Sequence, residues 1–533
     1  MAYALLAGLP PQVGLYASIV PLIIYGLLGT SRALAVGPVA IMSLLVASAL
    51  SQLNITSVEQ YVQFAIMLAL LVGIIQLVMG VFRIGFLVNF LSHPVLSGFT
   101  SAVSIVIGLS QVKYLFGISV PRTESTPELL SVLFEKLPET NITILILSAV
   151  AIVILLYFKF VLPKQLAKTK LSEMMITSLT KLGPLTVVIF GIIVVSATGI
   201  STTANVSVVG TIPAGLPPFA IPAFDGNVIS ELLPFAFTIA FVGYLESISV
   251  AKALASRRRQ KVDANQELIA LGVANLGASF SGAYPVAGGV ARSMVNFTSG
   301  ANTGLASIIS ASLIILTLLF LTPLFYFLPN AVLAAIIVMA VITLFDWETA
   351  VHTWQYSKAD FVSLVVTFVG VLLMGVEKGI LIGAATSLGL FLWRTSRPHV
   401  AVVGQIGDTR HYRNVLRHET TTYPNILAMR VDESLYFPNA QYLEDVVLNT
   451  LADNPEVDYF VLICSAVNFI DASALEILES LYHALDAIGV GMYCAEVKGP
   501  VMDRLQNIGF VEEMGEDHFF LSTHDAMEYL KAK

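Results

Sequence analysis

Gly282-Ala283-Tyr284-Pro285-Val286-Ala287-Gly288-Gly289-Val290-Ala291-Arg292-Ser293 is the stretch that decides how this chain folds. Proline and glycine interrupt apolar sequence there, just ahead of a short apolar segment that carries one arginine. A second stretch, Leu34-Ala35-Val36-Gly37-Pro38-Val39-Ala40-Ile41, follows the same plan. Proline at a helix start forfeits no hydrogen bond, because that N–H has no intrahelical acceptor. In mid-membrane such a start opens a half-helix, whose free N–H groups and positive dipole end can face an anion. Either stretch alone also reads as a Pro-kinked helix packed on its neighbours. Interruptions at corresponding places in two halves of an apolar chain point instead to a transporter site.

The surrounding composition agrees. Of 533 residues, 56% are apolar and only 12% are charged, against about 25% charged in a soluble chain. The mean hydropathy is +0.82. A spanning helix needs roughly 20 mainly apolar residues. Clear candidates lie near 13–30, 60–80, 141–161, 182–200, 232–255, 265–283, 304–323, 328–345, 360–376 and 378–395. Weaker ones fall near 34–53, 86–111 and 285–299, and the stub 1–10 is too short to span. Charge returns after the basic stretch Trp393-Arg394-Thr395-Ser396-Arg397-Pro398. The expected organisation is therefore a membrane domain over 1–398, a linker over 399–414 and a soluble domain over 415–533. That last piece is expected to fold when expressed alone.

Short loops rich in Lys and Arg face the cytosol. Lys159, Lys164, Lys168, Lys170 and Lys181 form one such cluster, and Lys252, Arg257, Arg258, Arg259 and Lys261 another. Arg394 and Arg397 follow the last span, whereas 201–231 carries no Lys or Arg. The tail is then cytosolic, and Cys464 and Cys494 are expected as reduced thiols. No His or third Cys has metal-ligand spacing beside them. No cleavable signal peptide is visible. The net charge of −8 gathers largely in the tail, and no basic–aromatic interleaving supports nucleic-acid binding. No nucleophile–base pair, metal cluster or phosphate loop supports an enzyme, and no cofactor is implied.

Glu246 lies deep in the apolar run Phe237–Ile248. A carboxylate there costs roughly 2.5–3.5 kcal/mol on insertion scales and is functional by default. Burial favours its protonated form and a nearby cation its ionised form, so it can load a proton on one side and release it on the other. The alternative is a structural partner of Arg292, which is the only Lys or Arg between Lys261 and Lys358. Arg292 can complement a bound anion or balance Glu246. Ser293 and Asn296 are polar neighbours suited either to the anion or to helix packing. His93, ahead of Pro94, reads as structural or interfacial.

Pro10-Pro11-Gln12-Val13-Gly14-Leu15-Tyr16-Ala17-Ser18 resembles the signature of the sulfate-permease (SulP) family of anion transporters. Gly37–Ala40, Leu91-Ser92-His93-Pro94-Val95-Leu96-Ser97-Gly98-Phe99, Gly108-Leu109-Ser110-Gln111, Tyr284–Asn296 and the tail around Asp471 fall where that family has similar stretches. The resemblance covers essentially the whole chain. It implies an α-helical membrane protein with a 7+7 inverted-repeat transporter fold, in which core and gate domains move against each other. The anion sits between the N-termini of two half-helices. Carried over, the substrate-binding positions are Tyr3, Val39, Ala40, Gly289, Ala291, Arg292 and Ser293, with Glu246 for proton coupling. The family often has Ser where this chain has Ala291, so the half-helix N–H groups must do more here. Family members begin their first segment well before Met1, which favours a truncated or mis-started sequence.

The tail alternates strand-like runs (Asn425–Val431, Tyr459–Cys464, Gly489–Cys494) with helical periodicity over Asn439–Ala452, Ser473–Ile488 and from Pro500. It resembles an α/β STAS domain. Asp471 or Ser473 can cap the helix that follows. The position directly after Asp471, phosphorylated in soluble STAS regulators, is Ala472 here, which leaves Asp471 and Ser473 as the regulatory candidates. The expected function is proton-coupled symport of an inorganic anion, sulfate first, by a homodimer in the cell membrane whose STAS domain binds a cytosolic regulator. A sodium-coupled bicarbonate carrier, or an uncoupled anion exchanger, is the alternative on the same fold. A membrane-anchored signalling module is disfavoured by the retained half-helices and Glu246.

Overall fold

The computed structural model describes residues 1–53, 55–86, 92–121, 126–169, 171–222 and 225–533. Leu91 and Lys170 lie outside them. Two compact units divide the chain, Met1–Ser387 and Leu388–Lys533.

The first unit is helical. It opens with α1 (Ala2–Leu6), α2 (Pro11–Tyr16) and α3 (Val20–Leu28), then a two-residue strand β1 (Val36–Gly37). Next come α4 (Ala40–Ser51), α5 (Val58–Val81), α6 (His93–Phe116), α7 (Thr126–Lys136) and α8 (Ile142–Leu156). After α9 (Leu162–Leu166), α10 (Glu173–Thr180), α11 (Gly183–Thr198) and α12 (Ile200–Thr203) runs the long α13 (Gly226–Ser256). The unit continues with α14 (Ala264–Phe280), β2 (Ala287–Gly288), α15 (Val290–Thr298), α16 (Leu305–Leu316), α17 (Asn330–Val341), α18 (Trp347–Tyr356) and α19 (Lys358–Met374). α20 (Val376–Thr395) leads into the second unit. Among the described residues, eight helical stretches are long and apolar enough to cross a membrane.

Local chemistry sets these boundaries. Side chains of Ser57, Asn141, Asp225, Asp263 and Ser357 accept N–H bonds that open α5, α8, α13, α14 and α19, satisfying donors that have no partner inside the helix. The span expected at 13–30 is broken at Ala17–Ile19, because Pro21 has no N–H with which to continue α2 into α3. The weak spans expected at 34–53 and 285–299 are helical only over Ala40–Ser51 and Val290–Thr298.

The helices pack as two groups. α3, α4, α5, α13, α14 and α16 form one, and α6, α8, α11, α17 and α19 the other. That division into two groups is the one the resemblance implies. α1 touches both, packing on α4 and on α6 and α17.

The second unit carries a sheet of β3 (Val400–Gln405), β4 (Tyr412–Asn414), β5 (Ile426–Val431), β6 (Tyr459–Ile463), β7 (Gly491–Ala495) and β8 (Phe519–Phe520). Its order is β4-β3-β5-β6-β7-β8, parallel from β5 to β8 and antiparallel around β3. Helices α21 (Ala440–Ala452), α22 (Ala472–Ala487), α23 (Gly499–Asn507), α24 (Phe510–Met514) and α25 (Thr523–Lys531) complete it. Alternation along β5 builds two cores. Leu427, Met429 and Val431 pack beneath α21 and α22, while Ile426 and Ala428 pack with Ala526, Met527 and Leu530 of α25. Cys464 and Cys494 are buried and unbridged. A hydrogen bond with Cys494, together with burial, pushes the Cys464 thiol well up, which makes it a poor nucleophile.

Residues 399–414, expected as a linker, instead supply β3 and β4. The reason is pairing: Val400, Ala401 and Val402 take register with Val431, Arg430 and Met429. β3 is therefore interior to the sheet, and this changes what can fold alone. Removing it exposes the edge of β5 and loses the burial of Ala401 and Val403, each 3% exposed, with partly buried Val400 and Val402. At about 1.5–3 kcal/mol for the buried Val403 and less for Val400 and Val402, the loss is a large fraction of a domain's stability of about 5–15 kcal/mol. A fragment of 396–533 is expected to unfold cooperatively on heating, and one of 415–533 to show a far lower midpoint or none; circular dichroism melts check this. The longer fragment also keeps the bonds of Asp432 to Arg430 (Nε–Oδ1 2.5 Å) and His399 (Nδ1–Oδ2 2.7 Å). Burial pushes the Asp432 carboxyl up, but these partners outweigh it and hold the group below the usual carboxylate range. A depressed folded value gives stability that is present above the unfolded pKa of about 3.9 and lost as pH falls through the folded value. The melting midpoint of 396–533 should therefore drop below about pH 4, and less so for Asp432→Asn.

Candidate functional site

The two interrupted stretches meet. β1 and β2 pair antiparallel, Val36 opposite Gly288 and Gly37 opposite Ala287. From this two-residue ladder α4 and α15 depart as half-helices, with Val39 and Gly289 as N-caps and no side-chain cap on either. Their first N–H groups are thus left for a ligand or solvent.

A polar frame fixes the ladder. Ser247 Oγ accepts from Gly288 N (2.8 Å) and donates to Gly243 O (2.6 Å). Asn275 Oδ1 accepts from Val286 N (2.8 Å), and its Nδ2 donates to Val286 O (3.1 Å) and to Gln76 Oε1 (2.9 Å). Ser43 and Tyr284 share a hydroxyl bond of 2.9 Å. Arg258, just past α13, donates to the carbonyls of Phe297 and Ala301 at the far end of α15. The second half-helix is therefore tied to α13 at both ends. Farther back, where α3 ends and the chain turns toward β1, Glu267 is fully buried and accepts from Tyr25 Oη (2.7 Å), Thr30 N (2.7 Å), Thr30 Oγ1 (2.6 Å) and Ser31 N (3.1 Å).

Arg292 lies across the crossing. Its Nη2 donates to Pro38 O at 2.7 Å. A Cβ at Gly37 would sit 2.5 Å from Arg292 Nη1, and one at Gly289 would sit 3.0 Å from Val39 Cγ1. Gly37 leaves room for the guanidinium as it lies, and Gly289 lets Val39 pack against it. Tyr3, Glu246 and Tyr284 all interact electrostatically with Arg292. Glu246 is partly buried, yet its Oε2 is buried with no hydrogen-bond partner. No direct Glu246–Arg292 ion pair occurs among the described salt bridges, so the reading of Glu246 as the structural partner of Arg292 loses support.

The structure thus brings Tyr3, Val39, Ala40, Glu246, Gly289 and Arg292 around one point. Ala291 is exposed beside it. Ser293 belongs to the frame instead: its hydroxyl donates to Gly289 O (2.6 Å) and accepts from Ala35 N (2.9 Å), which leaves it poorly placed to bind an anion. Asn296 Nδ2 reaches Ala33 O at 3.4 Å. His93 opens α6 and is exposed. Sequence reasoning missed Glu267, Ser247 and Asn275. Glu267 was masked, since an acid in the first turn after the cap Asp263 normally signals only a helix start.

In the second unit Asp471 caps α22. Its Oδ1 accepts from Ala474 N (2.8 Å) and its Oδ2 from Phe437 N (2.9 Å). Ser473 is exposed and takes no part in the cap.

Comparison with known proteins bears on the family and the fold. The sulfate permease family profile matches residues 1–367 and the STAS domain profile residues 417–526. The chain is 39% identical to the probable sulfate transporter 4.2 of Arabidopsis thaliana, over 99% of its own length and 78% of that protein's. It is 38% identical to sulfate transporter 4.1, chloroplastic, of the same plant, over 99% and 77%. Among solved structures, murine Solute Carrier 26 family member A9, an anion transporter in the inward-facing state, superposes with a TM-score of 0.90 at 26% identity, covering all of this chain and 88% of that one. With the family profile over residues 1–367 and the STAS profile after it in sequence, the chain belongs to the sulfate permease family.

Proposed function

We propose that this protein carries sulfate across a membrane by proton symport, through alternating access of its two helical groups. The observation that carries the reading is the Glu246 Oε2, buried without a hydrogen-bond partner beside Arg292 and the uncapped half-helix starts. A dianion is drawn to two positive helix ends and a guanidinium. It is repelled by an ionised Glu246. Protonating that carboxyl removes the repulsion, so proton and anion bind together and release together. The names of the plant relatives support sulfate as the anion.

In this reading Tyr3, Val39, Ala40, Gly289, Ala291 and Arg292 surround the anion, and Ser293 holds the crossing. The basic loops and the STAS domain face the cytosol, the protein works as a homodimer, and Asp471 with Ser473 marks where a cytosolic regulator acts on the STAS domain. One relative is described as chloroplastic, so the membrane itself is assigned by localising a tagged full chain. Uptake of radiolabelled sulfate into proteoliposomes, with and without an imposed pH gradient, tests the function. Accumulation only with the acidic side outside supports it, and uptake indifferent to pH removes the proton.

A further inference from the structure

We propose that a groove beneath α18 holds one acyl chain of a membrane phospholipid, and that α18 lies in the plane of the membrane interface. A 3-10 turn (Ile342–Leu344) and the extended Phe345 break α18 from the apolar α17, and the extended Ser357 breaks it from α19, so α18 need not follow the direction of either span. Of its ten residues only Thr353 is buried. It exposes Trp347 (68%), Trp354 (53%) and Tyr356 (86%). Amphipathic aromatic rings of this kind settle at headgroup level.

Beneath it lies a groove of about 360 Å³, walled by Phe345, Trp347, Ala350, Trp354, Phe361 and Phe368. The walls are braced by edge-to-face ring pairs, Trp354 with Phe361 (4.9 Å) and Phe345 with Phe368 (6.4 Å). The polar atoms at its edge are already used. Asp346 Oδ2 accepts from Ser97 Oγ (3.0 Å), Oδ1 accepts from Thr349 N (3.0 Å), and Asp346 N donates to Ser101 Oγ (3.0 Å). Apart from the indole N–H groups of Trp347 and Trp354, the groove therefore offers a ligand apolar surface. It continues the lipid-facing side of α19, where Val362, Val369 and Leu373 are exposed. An aliphatic chain from the surrounding bilayer fits that surface and position.

The chain has three tryptophans, two of them in this groove. In the detergent-solubilised full-length Trp393→Phe variant, Trp347 and Trp354 supply all the indole emission. Titration with a phospholipid brominated on its acyl chain should quench that emission saturably, with about one lipid per protein. The Trp347→Phe/Trp354→Phe variant, reporting Trp393 alone, should show only shallow, non-saturating loss. Ala350→Phe in the Trp393→Phe background fills the groove and should abolish the saturable quenching. Shallow quenching of Trp347 and Trp354, matching that of Trp393, overturns the proposal without any groove variant. So does saturable quenching that survives in a folded Ala350→Phe protein.

Discussion

Glu246→Gln is expected to abolish pH-driven accumulation of sulfate while sulfate–sulfate exchange continues. Glutamine keeps the shape of the protonated carboxyl and fixes its charge at zero. The anion then meets Arg292 and the two half-helix ends without a repelling carboxylate, so binding and exchange persist. What disappears is the link between proton and anion. Each proton moved down a one-unit gradient carries about 1.4 kcal/mol, worth tenfold in concentration. Wild-type liposomes should therefore concentrate sulfate about tenfold per unit of pH and per coupled proton, while Glu246→Gln should stop at equal concentrations. Glu246 has no described ion pair to lose, so the variant should still fold. Accumulation by Glu246→Gln under a pH gradient alone would remove the carboxyl from the coupling step.

Arg292→Gln is expected to weaken sulfate binding on the order of 10²-fold, with the protein still folded. The guanidinium is held at the crossing by Pro38 O and approaches Gly37 and Gly289 closely. Truncating one side of a buried charge pair costs roughly 2–5 kcal/mol. A hundredfold loss is about 2.7 kcal/mol, within that range. Arg292→Lys should recover only part of the loss, since an ammonium lacks the planar fork that can bond Pro38 O and an oxyanion at once. Half-saturation of uptake measures both variants. An unchanged half-saturation in Arg292→Gln would assign the residue to the frame rather than to the anion.

The crossing itself was legible because Pro38, Pro285 and their glycines break apolar sequence in a way lipid tolerates only inside protein. Glu246 was legible for the same reason. The frame was not. Ser247 and Asn275 sit in helices where a small polar residue looks alike whether it bonds its own turn or a distant strand. Glu267 finds Thr30 some 237 residues away, a distance no local pattern spans. Ser293 looked like an anion donor because the ladder that claims its hydroxyl through Ala35 N forms only once β1 meets β2. In the second unit, the buried parallel strands β5, β6 and β7 announced themselves as apolar runs. β3 did not, because Val400–Val403 adjoins polar, turn-like sequence, and only its pairing with β5 makes it interior. β8 has two residues, too few for any periodicity.

The claim on which the rest depends is that sulfate sits between the starts of α4 and α15. Ala291 is exposed at the first turn of α15, and the native Cys464 and Cys494 are buried. An Ala291→Cys protein can therefore be modified selectively by a neutral thiol reagent, with Ser473→Cys as the control. Sulfate at concentrations that saturate uptake should slow modification of Ala291→Cys strongly and leave Ser473→Cys unaffected. Equal modification rates at Ala291→Cys with and without saturating sulfate, in protein that still transports it, would contradict the account.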